Sequence, residues 1–207
     1  MKKHAFSLAE ALLALTIVGV IGALTVPSLK NHADEQVFVS SLKKAYNTLT
    51  SATTQLEAKH GNTEMWNWSS GQDTIRDWYK GIMNGQEITE TYTVRQLASG
   101  ATWSTVTAPN WFKSPDGMNW NLSYWQDGGM NYLMYVDTNG HAKPNMVGID
   151  VHAFSIEDDG VFPLGAKMHY GNSWWACTNY ALRKGEMPWI KDTSYASCSD
   201  SRIKSEM

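Results

Sequence analysis

Residues 1–30 read MKKHAFSLAEALLALTIVGVIGALTVPSLK, and this stretch decides how the rest of the chain is interpreted. A short basic start leads into an apolar run, 6–26, in which Glu10 is the only charged residue. As a helix with a rise of about 1.5 Å per residue, the run is about 31 Å long, close to the hydrocarbon thickness of a bilayer. Lys2 and Lys3 precede it, which predicts a cytoplasmic start and an exported remainder.

Two general interpretations of the run leave something unexplained. A cleaved secretory signal peptide fits the basic start and the apolar stretch. However, 22–30 contains no clear A-x-A site, and Pro27 lies close to where the cut would fall. A plain membrane anchor accounts for the length but leaves Glu10 unexplained, because a charged side chain in an apolar helix costs about 2.5–3.5 kcal/mol at mid-bilayer.

A third interpretation explains both the length and the acid. The sequence A-F-S-L-A-E at 5–10 resembles the processing signal of type IV pilins and type II secretion pseudopilins, which usually reads G-F-T-L-I-E. In that family a short basic leader is removed in front of a Phe, the Phe is N-methylated, and a Glu follows four residues later. The resemblance implies that 1–5 is a leader cut by a prepilin peptidase between Ala5 and Phe6. Ala5, where the family has Gly, is a departure from the pattern.

The resemblance also implies a function and a location. The chain would be a structural subunit of a type IV pilus-like or type II secretion pseudopilus filament, with Glu10, Gly19 and Pro27 serving assembly. It would begin as a single-pass inner-membrane protein with its head in the periplasm or outside, and later join an extracytoplasmic filament. The implied partners are further copies, other pilins or pseudopilins, the prepilin peptidase and an inner-membrane assembly platform.

Beyond Pro27 the pattern changes from wholly apolar to amphipathic. Apolar residues recur at helical spacing at Val39, Leu42, Tyr46, Leu49, Ala52 and Leu56. No Gly/Ser linker separates the two halves, so one helix over 6–59 is preferred to two helices joined at Pro27. Its front, 6–26, is predicted to be the membrane span or filament core, and its rear to pack on a head formed by 60–207.

The head carries clear β signals after a Trp-rich and irregular first part. NYLMYVD at 131–137 and VHAFSIE at 151–157 are each followed by a turn, and VFPLG at 161–165 follows as a third strand. TIRDWYKGIM at 74–83 predicts a short helix, and ATWSTVTA at 101–108 alternates like a strand. The predicted fold class is therefore α+β and pilin-like: a long helix packed on a small antiparallel sheet with a loop-rich head.

The two cysteines, Cys177 and Cys198, lie near the C-terminus. In an exported protein they would most simply form a disulfide, and the alternative is a pair of buried free thiols. Disulfide-closed loops near the C-terminus are common in the pilin family, which adds support to the pairing.

The block VDTNGHAKPNMVGID at 136–150 supplies oxygen-bearing side chains at Asp137, Asn139 and Asp150. It is similar to a sequence in some pseudopilin-like heads, and several major pseudopilins bind calcium in a nearby loop, so these residues are candidate calcium ligands. The spacing is not that of an EF-hand. Asp and Asn also cap turns by accepting hydrogen bonds from nearby backbone, which is the alternative interpretation. No other cofactor is predicted.

Composition and motifs disfavour two other classes of function, nucleic-acid binding and catalysis. A net charge of −3 without a block of like charges disfavours nucleic-acid binding. Motifs such as H-E-x-x-H or a P-loop do not occur, so an enzyme is not predicted.

All 10 tryptophans lie between Trp66 and Trp189. A core role for them is favoured; the alternative is a minor tip subunit or membrane-anchored adhesin whose Trp-rich head binds glycan. Exposed rings are expected first in MNWNLSYW at 118–125 and SWWACTNY at 173–180.

Overall fold

The computed structural model describes residues 8–68, 71–97, 99–125, 131–166, 175–192, 194–195 and 197–204. The helices are α1 (Leu8–His60), α2 (Gln72–Ile82), α3 (Ala176–Lys184) and α4 (Ser201–Lys204), with 3₁₀ turns at Thr63–Met65 and Pro188–Ile190. The strands are β1 (Gln86–Glu87), β2 (Tyr92–Arg95), β3 (Thr102–Val106), β4 (Trp111–Lys113), β5 (Asn119–Trp125), β6 (Asn131–Asp137), β7 (Val151–Glu157) and β8 (Gly160–Pro163). The fold is α+β, as the sequence predicts.

The strands form two antiparallel sheets. The larger sheet has six strands in the order β1-β4-β5-β6-β7-β8, and β2 pairs with β3 in a separate hairpin. The predicted meander is confirmed as β6, β7 and β8, in consecutive antiparallel register. The stretch 118–125, by contrast, belongs to the part of the head that the sequence predicts to be irregular, and it supplies β5. Its side chains alternate in burial: Trp120 and Leu122 are buried, whereas Asn121 and Ser123 are partly exposed.

The rear of α1 packs on one face of the large sheet. Six of its residues at helical spacing are at most 3% exposed: Val39, Leu42, Ala45, Leu49, Ala52 and Leu56. Beside them the ring of Tyr46 stacks on Phe154 of β7 at 5.8 Å, and its hydroxyl donates to the Val161 carbonyl at 3.3 Å. Leu122 of β5 lies opposite Met134 of β6, and Met134 lies opposite Phe154 of β7. These three side chains therefore belong to the same face of the sheet.

Helix α2 closes the core along the side of α1. Ile75 and Tyr79 are buried beneath it, and the Tyr79 hydroxyl lies 2.8 Å from the Thr53 hydroxyl of α1. Burial strongly raises the pKa of Tyr79, so this phenol stays protonated and remains able to share a hydrogen bond with Thr53. The contact fixes the position of α2, and with it the side chains that α2 presents beside β5.

One sequence-based expectation, the inner-membrane location, is wrong. Among the residues that the structure describes, no helix is both long enough and apolar enough to cross a bilayer, which takes about 20 predominantly apolar residues in succession. This finding contradicts the predicted single-pass protein with 6–26 as its span.

Candidate functional site

The front of α1 presents an unusual surface. Eight large apolar side chains are each 50–79% exposed: Leu8, Leu12, Leu13, Leu15, Ile17, Val18, Val20 and Ile21. At about 100° of rotation per residue they point to every side of the helix, so they form a sleeve rather than a stripe. We call these eight residues the apolar sleeve. An apolar surface of this extent marks an interaction site.

The predicted assembly residues all lie on this helix. Glu10 is exposed in the first turn of α1, where a negative charge is favoured by the helix dipole. A Cβ added at Gly19 would meet nothing within 4 Å, so this glycine leaves a gap in the sleeve. Pro27 lies within the continuous α1. The predicted processing pair, Ala5 and Phe6, lies outside the described residues.

The C-terminal disulfide is confirmed. Cys177, at the start of α3, is bonded to Cys198, and both sulfurs are buried. Gly148 has a φ of +84° and packs directly on this bond: a Cβ there would lie 2.5 Å from the Cys198 Sγ. The Gly148 carbonyl also accepts a hydrogen bond from Trp189 Nε1 at 2.7 Å. The disulfide therefore ties the C-terminal segment to the loop before β7.

Two of the predicted calcium ligands, Asn139 and Asp150, lie in this same loop, and the third, Asp137, is the last residue of β6 in front of it. Both carboxylates are already hydrogen-bonded. The two Asp150 oxygens accept from the backbone N–H groups of Asn145 and Met146, at 2.7 and 2.6 Å. Asp137 accepts from the Tyr92 hydroxyl at 2.7 Å and from the Asn139 backbone N–H at 3.3 Å. The Asn139 Oδ1 is buried and accepts no hydrogen bond from a residue that the structure describes.

Asp137 and Asp150 are both buried, and neither forms an ion pair with a cation in the described part of the chain. Burial, with the nearby Asp150 charge as the second cause, raises the pKa of Asp137 to about 8. Burial raises the pKa of Asp150 to about 6. Within the described part of the chain, no three His, Cys, Asp or Glu side chains are grouped as metal ligands. The backbone donors favour the turn interpretation, in which both acids fix the loop that follows β6.

Most tryptophans that the structure describes belong to the core. Six are at most 7% exposed: Trp66, Trp68, Trp111, Trp120, Trp175 and Trp189. Several indole N–H groups find acceptors, such as Trp68 Nε1 on the Thr63 carbonyl at 2.8 Å. The expectation of exposed rings is wrong for Trp120 and Trp175, and Trp174 lies outside the described residues.

The sequence does not predict a cleft that the fold creates beside the β2–β3 hairpin. It is lined in part by Gln72, Arg76, Trp103, Trp111, Asn121 and Tyr135. These residues come from α2 and from four different strands, so their proximity depends on long-range pairing. The only signal in the sequence is that Trp103 lies in a stretch, 101–108, that alternates like a strand.

Comparison with known proteins indicates neither a family nor a function for this chain. No protein-family model, no curated protein and no solved structure matches this chain.

Proposed function

We propose that the chain is a structural subunit of a helical filament of the type IV pilin or pseudopilin kind, assembled through α1. One observation carries the proposal: a helix of 53 residues is rooted in the core by its rear half and exposes the apolar sleeve at its front. At about 1.5 Å per residue, such a helix is about 80 Å long. The A-F-S-L-A-E sequence at 5–10, with its resemblance to the prepilin signal, supports the same function.

The apolar sleeve has a physical reason to self-associate. Each Leu, Ile or Val side chain gains about 1.5–3 kcal/mol when it is moved from water into an apolar environment. Because the side chains point to all sides, a single flat partner would leave part of the sleeve in water. Several copies of the same helix, packed side by side and staggered along an axis, bury it on every side.

Glu10 supplies the register in this arrangement. Prepilin-type cleavage creates a new ammonium group on Phe6, four residues before Glu10 in the sequence. In a bundle of staggered helices, the Glu10 carboxylate of one subunit pairs with the ammonium of its neighbour. A buried charge is tolerable when it is paired and costly when it is alone, so only one axial offset between subunits is favoured.

The test uses Glu10→Ala in the native host, with Asp34→Ala as the matched control. Asp34 is another exposed acid of α1, but it lies beyond the sleeve. We expect Glu10→Ala to be processed normally, with methylated Phe6 as its first residue, and to form few or no filaments. Asp34→Ala should assemble as the wild type does. Filament yield is measured by shearing and electron microscopy, and the first residue by mass spectrometry.

Two results would contradict the proposal. One is normal filament yield from Glu10→Ala, because the register would then not depend on the pair. The other is a mature chain that begins near residue 26, because removal of the sleeve would leave no helix for assembly.

A further inference from the structure

A cleft of about 460 Å³ opens between the β2–β3 hairpin, the first turn of α2 and the large sheet. Asn121 and Tyr135 contribute to its floor, and along their strands they alternate with Leu122 and Met134, which face α1. The floor therefore belongs to the sheet face that points away from α1. The volume lies within the range of about 300–1,000 Å³ that is usual for small-molecule sites.

The floor of the cleft is a row of three side chains in register. Trp111 of β4 lies opposite Asn121 of β5, which lies opposite Tyr135 of β6. Side chains opposite one another in register share a face, with Cβ atoms about 4.5–5.5 Å apart. The row therefore places one amide between two aromatic rings.

One wall of the cleft is the ring of Trp103. It lies 4.9 Å from Trp175 in an edge-on contact and 5.0 Å from Tyr135. Both supporting rings are buried, whereas Trp103 is partly exposed. A ring held by two buried rings is already fixed in place, so a ligand that packs on it does not have to immobilise it.

The polar groups around the rings are also fixed. Gln72 Nε2 donates to the Leu122 carbonyl at 2.8 Å, and Asn121 Nδ2 donates to the Asn110 carbonyl at 2.7 Å. Each amide is held through its nitrogen, which leaves its oxygen as an acceptor. The hydroxyl of Ser123 lines the same cleft and makes no hydrogen bond to any residue that the structure describes.

Among the described residues that line the cleft, Arg76 is the one cation and Asp73 is the one acid. The Arg76 guanidinium forms ion pairs with Asp73 at 3.1 Å and with Asp77, which lies outside the lining, at 3.4 Å. An anionic ligand would have to compete with two carboxylates for this group. The cleft therefore favours a ligand that is polar but uncharged.

We propose that this cleft binds a short neutral saccharide of one or two rings. A sugar ring has an apolar C–H face that packs on Trp103, and hydroxyls at its edge that both donate and accept hydrogen bonds. Those hydroxyls match the amide oxygens of Gln72 and Asn121 and the hydroxyl of Ser123. A purely apolar ligand would leave these groups desolvated and unpaired, which costs free energy. The inference does not depend on filament assembly.

The test measures saccharide binding by the full-length chain in a detergent without a sugar headgroup. The probes are neutral di- and trisaccharides of glucose, galactose and N-acetylhexosamines, with sialylated and sulfated sugars as the charged set. Binding is followed by saturation-transfer NMR and by tryptophan fluorescence. We expect at least one neutral probe to bind, and Trp103→Ala to weaken its Kd by about tenfold or more.

Matched variants separate loss of the site from loss of the fold. Trp78→Ala removes a partly exposed ring that stacks on His60, away from the cleft, and should bind as the wild type does. Asn121→Leu keeps the branched shape and the number of side-chain heavy atoms, removes the amide and should also weaken binding. If the circular-dichroism spectrum shows that Trp103→Ala is not folded, the affinity of Asn121→Leu decides whether the cleft is the binding site. Unchanged affinity in Asn121→Leu, preference for the charged set, or no binding by any neutral probe would overturn the inference.

Discussion

At the scale of single residues, Asp137 is a carboxyl with a strongly raised pKa. Its carboxyl is fully buried beside Asp150, and the pKa of about 8 keeps it largely protonated in the folded chain at neutral pH. In the unfolded chain the same carboxyl ionises near its ordinary pKa of about 3.9. Between these two pKa values the folded state binds one more proton than the unfolded state, so the contribution of Asp137 to stability decreases as pH rises.

We expect the free energy of unfolding to fall between pH 5 and pH 8 in the wild-type chain. Each unit of pKa difference corresponds to about 1.4 kcal/mol, and Asp150 adds to the slope below its own pKa of about 6. In Asp137→Asn, which keeps the shape and cannot ionise, the fall above pH 6 should largely disappear. Urea unfolding at several pH values measures both slopes, and equal slopes in the two chains would contradict the pKa of Asp137.

At the scale of elements, one acid attaches the C-terminal segment to α1. Glu35 is 2% exposed, accepts a hydrogen bond from the Met187 backbone N–H at 2.8 Å, and is ion-paired with Lys191. Met187 is itself fully buried. Its N–H would be left without an acceptor if the carboxylate were removed, whereas Lys191 is partly exposed and can return to water.

Glu35→Ala should therefore destabilise the fold far more than Lys191→Ala. We expect a loss of about 2–4 kcal/mol for Glu35→Ala, from the unpaired N–H and the cavity together. Lys191→Ala should cost about 1 kcal/mol or less, because a half-exposed ion pair contributes little. Thermal and urea unfolding of both variants provide the comparison. Similar losses in the two would mean that the ion pair, and not the backbone hydrogen bond, makes the attachment.

The elements also show what the sequence can predict and why. β6 and β7 are predicted to the residue, because their apolar runs stop at turn residues. The disulfide is predictable because the chain has only two cysteines. β5 is not predicted, because Asn119, Asn121 and Ser123 alternate with its apolar residues and Asn is depleted in strands; pairing with β4 and β6 places it in the sheet. The cleft requires that pairing and is therefore invisible in the sequence.

At the scale of the whole molecule, the boundary between the apolar sleeve and the folded core lies within α1. Glu35 is the first described residue of α1 that is buried, and all the residues of the apolar sleeve lie before it. The core that follows is complete without the front of the helix, since the rear of α1, α2 and the large sheet pack on one another. Folding of the head and association of the sleeve are therefore separable properties.

A chain that begins at residue 33 should fold and remain monomeric, whereas the full-length chain should self-associate. We expect the melting temperatures to agree within a few degrees, because the sleeve contributes no buried side chain to the core. Full-length Leu13→Gln with Ile17→Gln is the matched control, because it keeps the helix length and reduces only the apolar surface. It should associate less than the wild type. Analytical ultracentrifugation measures all three, and if the shortened chain associated as strongly as the full-length chain, the association would have to be assigned to the head instead.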